Sequence, residues 1–144
     1  MADISPHLVV SDPEQALNWY RAVFEAVEVS RIPLPDGTAF AIEFSIGDTH
    51  LHLAGEYPDM GIVSPATLGG TYLALQVETG DVDATFERAI AAGAKIFHPL
   101  DDVFYGERTG QFIDPFGHRW GVRKQIRDVP ADEVAREVAR LFGG

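Results

Sequence analysis

Three side chains that can exchange protons or bind a metal lie close together in one stretch of the sequence. Glu43 belongs to an alternating apolar and polar run, and His50 and His52 follow two positions apart in the next run. Residues two apart on a strand share a face, so both histidines project from the same side. Because Gly47 and Asp48 suit a tight turn, we expect a hairpin that brings Glu43 near the histidines.

This group of Glu43, His50 and His52 supplies the candidate catalytic residues, and three roles stay open for it. The side chains are polar lining of a cavity, or acid–base groups that work without a metal, or ligands of a divalent metal ion. Two imidazoles and a carboxylate suit a catalytic metal. Histidines on one face of one strand point in parallel, however, which is poor geometry for a single ion.

Further residues, spread over both halves of the chain, are of types that hold small molecules. Histidine and glutamine exchange hydrogen bonds, arginine pairs with anionic or carbonyl groups, and aromatic rings stack on flat ligands. Alternation along the strands turns these side chains away from the helices. We therefore predict a ligand-binding set of His7, Tyr72, Gln76, Arg108, Phe112 and Arg119.

Composition restricts the partners and the chemistry. The chain of 144 residues has 11 Lys+Arg against 22 Asp+Glu, and its net charge of −11 repels nucleic acid and anionic membrane surfaces. The lack of cysteine excludes thiolate catalysis and cysteine-bound metals. No apolar run is long enough to span a membrane and no signal peptide is recognisable, so we expect one cytoplasmic domain covering residues 1–144.

The order of elements repeats along the chain. Residues 4–55 and 71–124 each predict a strand, a helix and three strands, a loop at 56–70 connects them, and an amphipathic helix follows at 130–142. The sequence thus predicts an α+β fold of two duplicated βαβββ units, with a C-terminal amphipathic helix.

The alternation also predicts which side chains pack under the helices. The helix-facing set is Phe40, Ile42, Phe44, Leu51, Leu53, Leu73, Leu75, Val77 and Trp120, and the apolar stripe of the first helix runs from Ala16 to Val27. The set that faces the cavity includes Glu43, Ser45, His50, His52 and Arg119.

One motif in the second unit is more specific than these patterns. The string Asp-Pro-Phe-Gly-His-Arg-Trp at residues 114–120 follows Phe-Tyr-Gly-Glu-Arg at 104–108. With the duplicated unit, it resembles the vicinal oxygen chelate superfamily of glyoxalase I, bleomycin resistance proteins and extradiol dioxygenases, and most closely the PhnB-like branch. The resemblance covers residues 4–124. It implies that the duplicated βαβββ units form half-barrel sheets around a ligand cavity, with the helices outside.

The resemblance also implies where a metal would be held. Metal-dependent members use one residue from the first and one from the last strand of each unit, which correspond here to Ser5, His52, Tyr72 and Gly121. Only His52 is a good ligand, and Gly121 stands where those relatives place a carboxylate. We therefore predict no metal at that site and no other cofactor, with the group around Glu43 as the alternative place for a divalent metal.

Two functions follow as expectations. The first is metal-independent binding of a small aromatic or carbonyl-bearing molecule, as in bleomycin resistance proteins. The alternative is a glyoxalase-like lyase or isomerase that acts on a small carbonyl compound, whereas a metal-dependent dioxygenase is disfavoured. A third reading is a ligand-responsive protein that contacts a partner through its tail helix.

We also expect a homodimer. Open sheets expose strand edges that invite pairing, and the stripe of Val134, Val138 and Leu141 needs cover. The sequence does not decide whether the barrel closes within one chain or across two.

Overall fold

The computed structural model describes residues 1–143, which form two four-stranded sheets and four α-helices. The first unit contains β1 (His7–Val9), α1 (Pro13–Phe24), β2 (Val27–Pro33), β3 (Ala39–Ile46) and β4 (Thr49–Ala54). A 3-10 turn (Pro58–Met60) and the one-turn helix α2 (Pro65–Leu68) lie between the units. The second unit contains β5 (Ala74–Glu78), α3 (Val82–Ala91), β6 (Lys95–Val103), β7 (Glu107–Ile113) and β8 (Arg119–Gln125), and α4 (Ala131–Phe142) follows.

The two units have the same strand order, which confirms the predicted duplication. The order is β1-β4-β3-β2 in the first sheet and β5-β8-β7-β6 in the second. In each sheet the first strand is parallel to the last strand, and the other pairs are antiparallel. Within residues 1–143 the sheets stay separate and neither closes into a barrel.

Both ends of helix α1 are defined by capping residues. The Asp12 carboxylate accepts a hydrogen bond from the Gln15 amide, and Pro13 occupies the first turn. Glu25 then adopts a left-handed conformation with φ of 58°, which ends the helix at Phe24. The predicted extension of the helical stripe to Val27 is therefore wrong, since Val27 begins β2.

The same helix joins the two units in one core. The Tyr20 ring stacks on Phe44 of the first sheet at 5.6 Å, and the Trp120 ring of the second sheet lies 4.7 Å from Phe24. Both sheets thus turn their apolar faces toward the helices. We call the other side of each sheet its open face.

Most of the predicted core is buried, with two exceptions. Ile42, Phe44, Leu51, Leu53 and Trp120 are buried, while Leu75 and Val77 are partly buried against the core. Phe40 is 41% exposed and packs on Tyr57 of the connecting loop, and Leu73 is 49% exposed because it precedes β5. The prediction that these two residues pack under the helices is therefore wrong.

The connecting loop packs on the turn of the Asp-Pro-Phe-Gly motif. Glu56 accepts hydrogen bonds from the backbone amide and hydroxyl of Ser64, which is fully buried. Gly117 in the turn has a φ of 94°, and a Cβ atom there would lie 2.7 Å from the Ala66 nitrogen. A glycine is therefore needed for both the backbone conformation and the close approach.

The outermost strands, β2 and β6, are exposed along most of their length. Val27, Val29 and Ile32 on β2 and Ile96 and Phe97 on β6 are large exposed apolar residues. Long exposed edge strands favour pairing with another surface. Among residues 1–143, no helix has the length and apolar character required to cross a bilayer.

Candidate functional site

A row of polar residues crosses the open face of the first sheet. His7 of β1 is paired with His52 of β4, and His52 is in turn opposite Glu43 of β3. The rings of His7 and His52 are 6.4 Å apart between centroids. The predicted hairpin thus places His7, Glu43 and His52 side by side.

Glu43 also contacts His50, one step along the hairpin. The His50 Nδ1 atom lies 2.5 Å from Glu43 Oε2, and both side chains are partly exposed. This hydrogen bond, helped by the positive charge that His50 and His52 can carry, lowers the pKa of Glu43. A carboxylate held against an imidazole in this way can orient the ring for proton transfer.

The second sheet has the equivalent row, with different chemistry. Gln76 of β5 is paired with Gly121 of β8, Gly121 with Gln111 of β7, and Gln111 with His98 of β6. By strand order Gln76 corresponds to His7, Gly121 to His52 and Gln111 to Glu43. The acidic and imidazole groups of the first unit are therefore replaced by two amides on either side of a glycine.

A cavity of ≈ 560 Å³ lies over this second row. Its lining includes Gln76, His98, Tyr105, Glu107, Thr109, Gln111 and Arg123. Arg123 contacts Glu78 and Glu107 at 3.1 Å each and donates to Gln76 Oε1 at 3.4 Å. The volume is in the usual range for small-molecule pockets, and the lining combines amide, hydroxyl and aromatic groups.

Another cavity, of ≈ 510 Å³, brings together two predicted ligand residues, His7 and Tyr72. Its walls are mostly from the connecting loop, and His118 also lines it. The Tyr72 side chain is 91% exposed because it precedes β5. These two residues therefore meet at the seam between the units rather than on one sheet.

Arg119 is turned to the open face, as alternation predicts. Its guanidinium donates to the Tyr72 carbonyl oxygen at 3.0 Å and lies 4.6 Å above the Phe97 ring. The Nε atom is buried and has no hydrogen-bond partner in the described chain. Arg119 lines neither cavity, although its contact Tyr72 lines the cavity of ≈ 510 Å³ and Phe97 precedes His98, which lines the cavity of ≈ 560 Å³.

Two predicted ligand residues do not reach an open face. Phe112 is fully buried, between Trp19, Phe24 and Phe86, because its side of β7 faces the helices. Arg108 lies on the same side and binds Asp83 of α3 at 2.6 Å. The predicted placement of both residues in the cavity is wrong by one position on β7.

The residues that replace them were missed by sequence reasoning. Thr109 and Gln111 of β7 face the cavity instead, together with Arg123 and His98. The signal for Gln111 was present, since a polar residue beside Phe112 favours the opposite facing. His98 had no such signal, because an irregularity in β6 between Ile96 and His98 changes the alternation.

The residues at the metal positions implied by the resemblance do not fit a metal. Gly121 has no side chain, and Ser5 lies outside β1. In the second unit, the position equivalent to Ser5 is Ala74, which precedes Gln76 by two residues as Ser5 precedes His7. The assignment of Tyr72 to this position is therefore wrong. Across residues 1–143, no group of three or more His, Asp or Glu side chains is arranged to hold an ion. Glu43, His50 and His52 therefore do not form such a group.

Comparisons with known proteins agree with this architecture. The family model described as Glyoxalase/Bleomycin resistance protein/Dioxygenase superfamily matches residues 4–122. An uncharacterised protein of Mycobacterium bovis is 39% identical over 134 residues, which cover 91% of this chain and 88% of that protein. The crystal structure of TioX from Micromonospora superposes with a TM-score of 0.66 at 25% identity, covering 88% of this chain and all (100%) of that one. A PhnB protein from Bacillus cereus gives 0.62 at 20% identity, over 85% of this chain and 99% of that one.

Two open four-stranded sheets with polar rows on their helix-free faces define a duplicated, cavity-forming α+β protein. The chain belongs to the glyoxalase/bleomycin resistance protein/dioxygenase superfamily. PhnB-like proteins are among its structural neighbours. The predicted family and fold are thereby confirmed.

Proposed function

We propose that this protein binds a small carbonyl-bearing or aromatic molecule in the cavity of the second unit, without the metal used by other family members. The observation that carries this proposal is the position of Gly121 between Gln76 and Gln111. A Cβ atom at residue 121 would lie 3.5 Å from the Cγ atoms of both glutamines. Where the resemblance implies a metal-binding carboxylate, the side chains offer amide hydrogen bonds instead.

The lining supports a particular kind of ligand. Amide groups donate to carbonyl oxygens and accept from hydroxyl or amino groups, so a molecule with both is suited to the row. Tyr105 at the rim is 45% exposed and can stack on a flat ring. Asp101 and Glu107 also line the cavity, which disfavours multiply charged anions. The net charge of −11 likewise argues against nucleic acid as the partner.

The Gln111→Leu substitution tests this site. We expect about fivefold weaker binding, because a hydrogen bond to an uncharged group is worth roughly 1 kcal/mol. Binding is measured by isothermal titration with the strongest ligand found in a panel of aromatic antibiotics and small dicarbonyl compounds. The matched control is Gln15→Leu on the exposed side of α1, which should bind as the wild type does. Equal affinities of the two variants, or no binding from the panel, would contradict the proposal.

A second function, acid–base catalysis on a small carbonyl compound, is favoured by the 2.5 Å contact between Glu43 and His50. In this reading Glu43 orients the imidazole, which moves a proton at a carbon beside a carbonyl. His52 and His7, next in the row, would bind the substrate oxygen.

The Glu43→Gln variant distinguishes catalysis from binding alone. If the first unit is catalytic, proton exchange or turnover of dicarbonyl compounds, followed by NMR, should fall by about 100-fold. The reason is that the imidazole loses the carboxylate that orients it, and with it the usual contribution of a general acid–base group. Gln76→Leu in the other unit is the control and should leave the turnover of the dicarbonyl compounds nearly unchanged. A wild-type protein with no turnover of the dicarbonyl compounds would contradict the enzymatic function and leave the binding function in place.

A further inference from the structure

The amide of Gln76, in the cavity of the second unit, has one side occupied by an arginine. Arg123 Nη1 donates a hydrogen bond to Gln76 Oε1 at 3.4 Å. A guanidinium group has hydrogen-bond donors and no acceptor, so the oxygen of the amide is the atom that faces it. The amino group of Gln76 is therefore the part of the amide that a ligand in the cavity can contact.

Arg123 is held in this position by carboxylates from the strands on both sides of it. Its Nη2 atom lies 3.1 Å from Glu78 of β5 and 3.1 Å from Glu107 of β7. Both strands pair with β8, to which Arg123 belongs. Because the two ion pairs use Nη2, the Nη1 group is left to hold the oxygen of Gln76.

The space above Gly121 lets these two side chains meet. Gly121 is opposite Gln76 in the strand pairing, and a Cβ atom there would lie 3.5 Å from the Cγ atom and 3.6 Å from the Cδ atom of Gln76. Arg123 is two residues further along β8 and projects from the same face. The amide of Gln76 thus lies across the glycine and reaches the guanidinium.

The same ion pairs determine which charges a ligand meets. Among the described residues that line this cavity, Arg123 is the single lysine or arginine, and Asp101 and Glu107 line it too. The positive charge of Arg123 is balanced by Glu78 and Glu107. A ligand carboxylate would meet no unpaired guanidinium or ammonium group on these residues and would lie near charges of its own sign. An uncharged ligand therefore suits the cavity better.

We propose that Arg123 determines the ligand class of this cavity, by fixing Gln76 as a hydrogen-bond donor that selects an uncharged molecule with an acceptor such as a ketone oxygen. This inference rests on the proposed function, ligand binding in the second unit. Gln76 contacts the ligand, and Arg123 is a positioning residue that acts through Gln76. A ligand N–H group, which needs an acceptor, finds the oxygen of Gln76 already engaged.

Three uncharged bicyclic probes of similar size measure this selection. The compound 1-indanone has an acceptor oxygen, indole has an N–H donor, and indane has neither. Titration of the isotope-labelled full-length protein, followed by NMR through the backbone amides of Thr109 and Gln111, gives the affinity of each probe for the cavity. The wild-type protein should bind 1-indanone about fivefold more tightly than indane, the effect of one hydrogen bond between uncharged groups.

Substitutions of the two residues change the ratio of the 1-indanone affinity to the indole affinity. Gln76→Glu exchanges the amino group for a second acceptor oxygen, so the ratio should fall at least about tenfold. Arg123→Met removes the group that orients the amide and should lower the ratio several-fold, whereas Arg123→Lys retains a donor and should keep most of it. Gln15→Glu on α1 adds the same charge far from the cavity and should keep the wild-type ratio.

The outcomes separate this inference from the proposed function. If 1-indanone binds in the wild-type cavity and the ratio is unchanged in Gln76→Glu or in Arg123→Met, selection by these two residues is wrong, while ligand binding in the cavity stands. If none of the three probes shifts the resonances of Thr109 and Gln111, both are wrong. The amide spectrum of each variant shows that the fold is retained.

Discussion

Replacing Asp114 by alanine should destabilise the protein by about 3–5 kcal/mol, because its buried carboxylate accepts four hydrogen bonds. Tyr20 donates its hydroxyl to Oδ2 at 2.6 Å and Trp120 donates Nε1 at 2.8 Å. The amides of Phe116 and His118 donate to Oδ1 at 2.9 and 3.0 Å. In the alanine variant the two buried side-chain donors from different elements lose their partner.

The chemistry of the Tyr20 hydroxyl makes it a dependable donor in this cluster. Burial, together with the nearby Asp114 charge, raises the pKa of Tyr20 well above its usual value, so the hydroxyl keeps its proton at neutral pH. Since Tyr20 lies on α1 and Asp114 follows β7, the hydrogen bond joins the two units. Loss of Asp114 therefore weakens the contact between the units as well as the turn.

Urea denaturation followed by tryptophan fluorescence measures this effect. Asp59→Ala, in the exposed 3-10 turn, is the matched control and should change stability by less than about 0.5 kcal/mol. Tyr20→Phe removes one of the four hydrogen bonds and should fall between the two. If Asp114→Ala unfolds at the same urea concentration as Asp59→Ala, the carboxylate is not the centre of the contact.

The repeated element order was readable from sequence because it depends on local signals. The N-cap at Asp12, the alternation around Ile42 and Phe44, and the turn after Asp114 each act over a few residues. These elements could therefore be predicted without knowing how the two units pack together. The end of α1 was missed because Glu25 adopts a left-handed conformation that no glycine or asparagine marks in the sequence.

The candidate site was predicted less completely, because facing depends on register. An error of one position on β7 exchanged Phe112 for Gln111, and the irregularity in β6 concealed His98. Tyr72 and Leu73 were assigned to a strand that begins only at Ala74. The first unit was predicted better, since the hairpin turn sets the register of Glu43 against His52.

The duplication gives this protein two open faces that share a geometry and differ in chemistry. The row from His7 to Glu43 contains groups that exchange protons, and the row from Gln76 to Gln111 contains groups that only donate and accept hydrogen bonds. Gly121 in the second row leaves the space that a side chain equivalent to His52 would fill. The two proposed functions, ligand binding in the second unit and acid–base chemistry in the first, can therefore be tested separately by single substitutions.

Neighbouring substitutions on β8 should have opposite consequences for stability and for binding. Trp120 is 1% exposed, and its ring packs 4.7 Å from Phe24 and 5.3 Å from Tyr20. Trp120→Ala should lower stability by about 3–5 kcal/mol, the usual cost of removing a large buried aromatic side chain. Arg119→Ala should leave the melting temperature within a few degrees, because Arg119 faces away from the core.

Ligand binding should be affected by Arg119→Ala, the substitution that changes stability less. Arg119 does not line the cavity itself, but it stacks on Phe97, the neighbour of the cavity residue His98. Its loss should therefore weaken binding of a carbonyl-bearing ligand while the fold persists. Thermal denaturation and titration of the same two variants provide the comparison. A stable Trp120→Ala protein together with an unstable Arg119→Ala protein would show that β8 is shifted by one residue. Because β8 pairs with both β5 and β7, such a shift would also remove Gly121 from its place between the two glutamines.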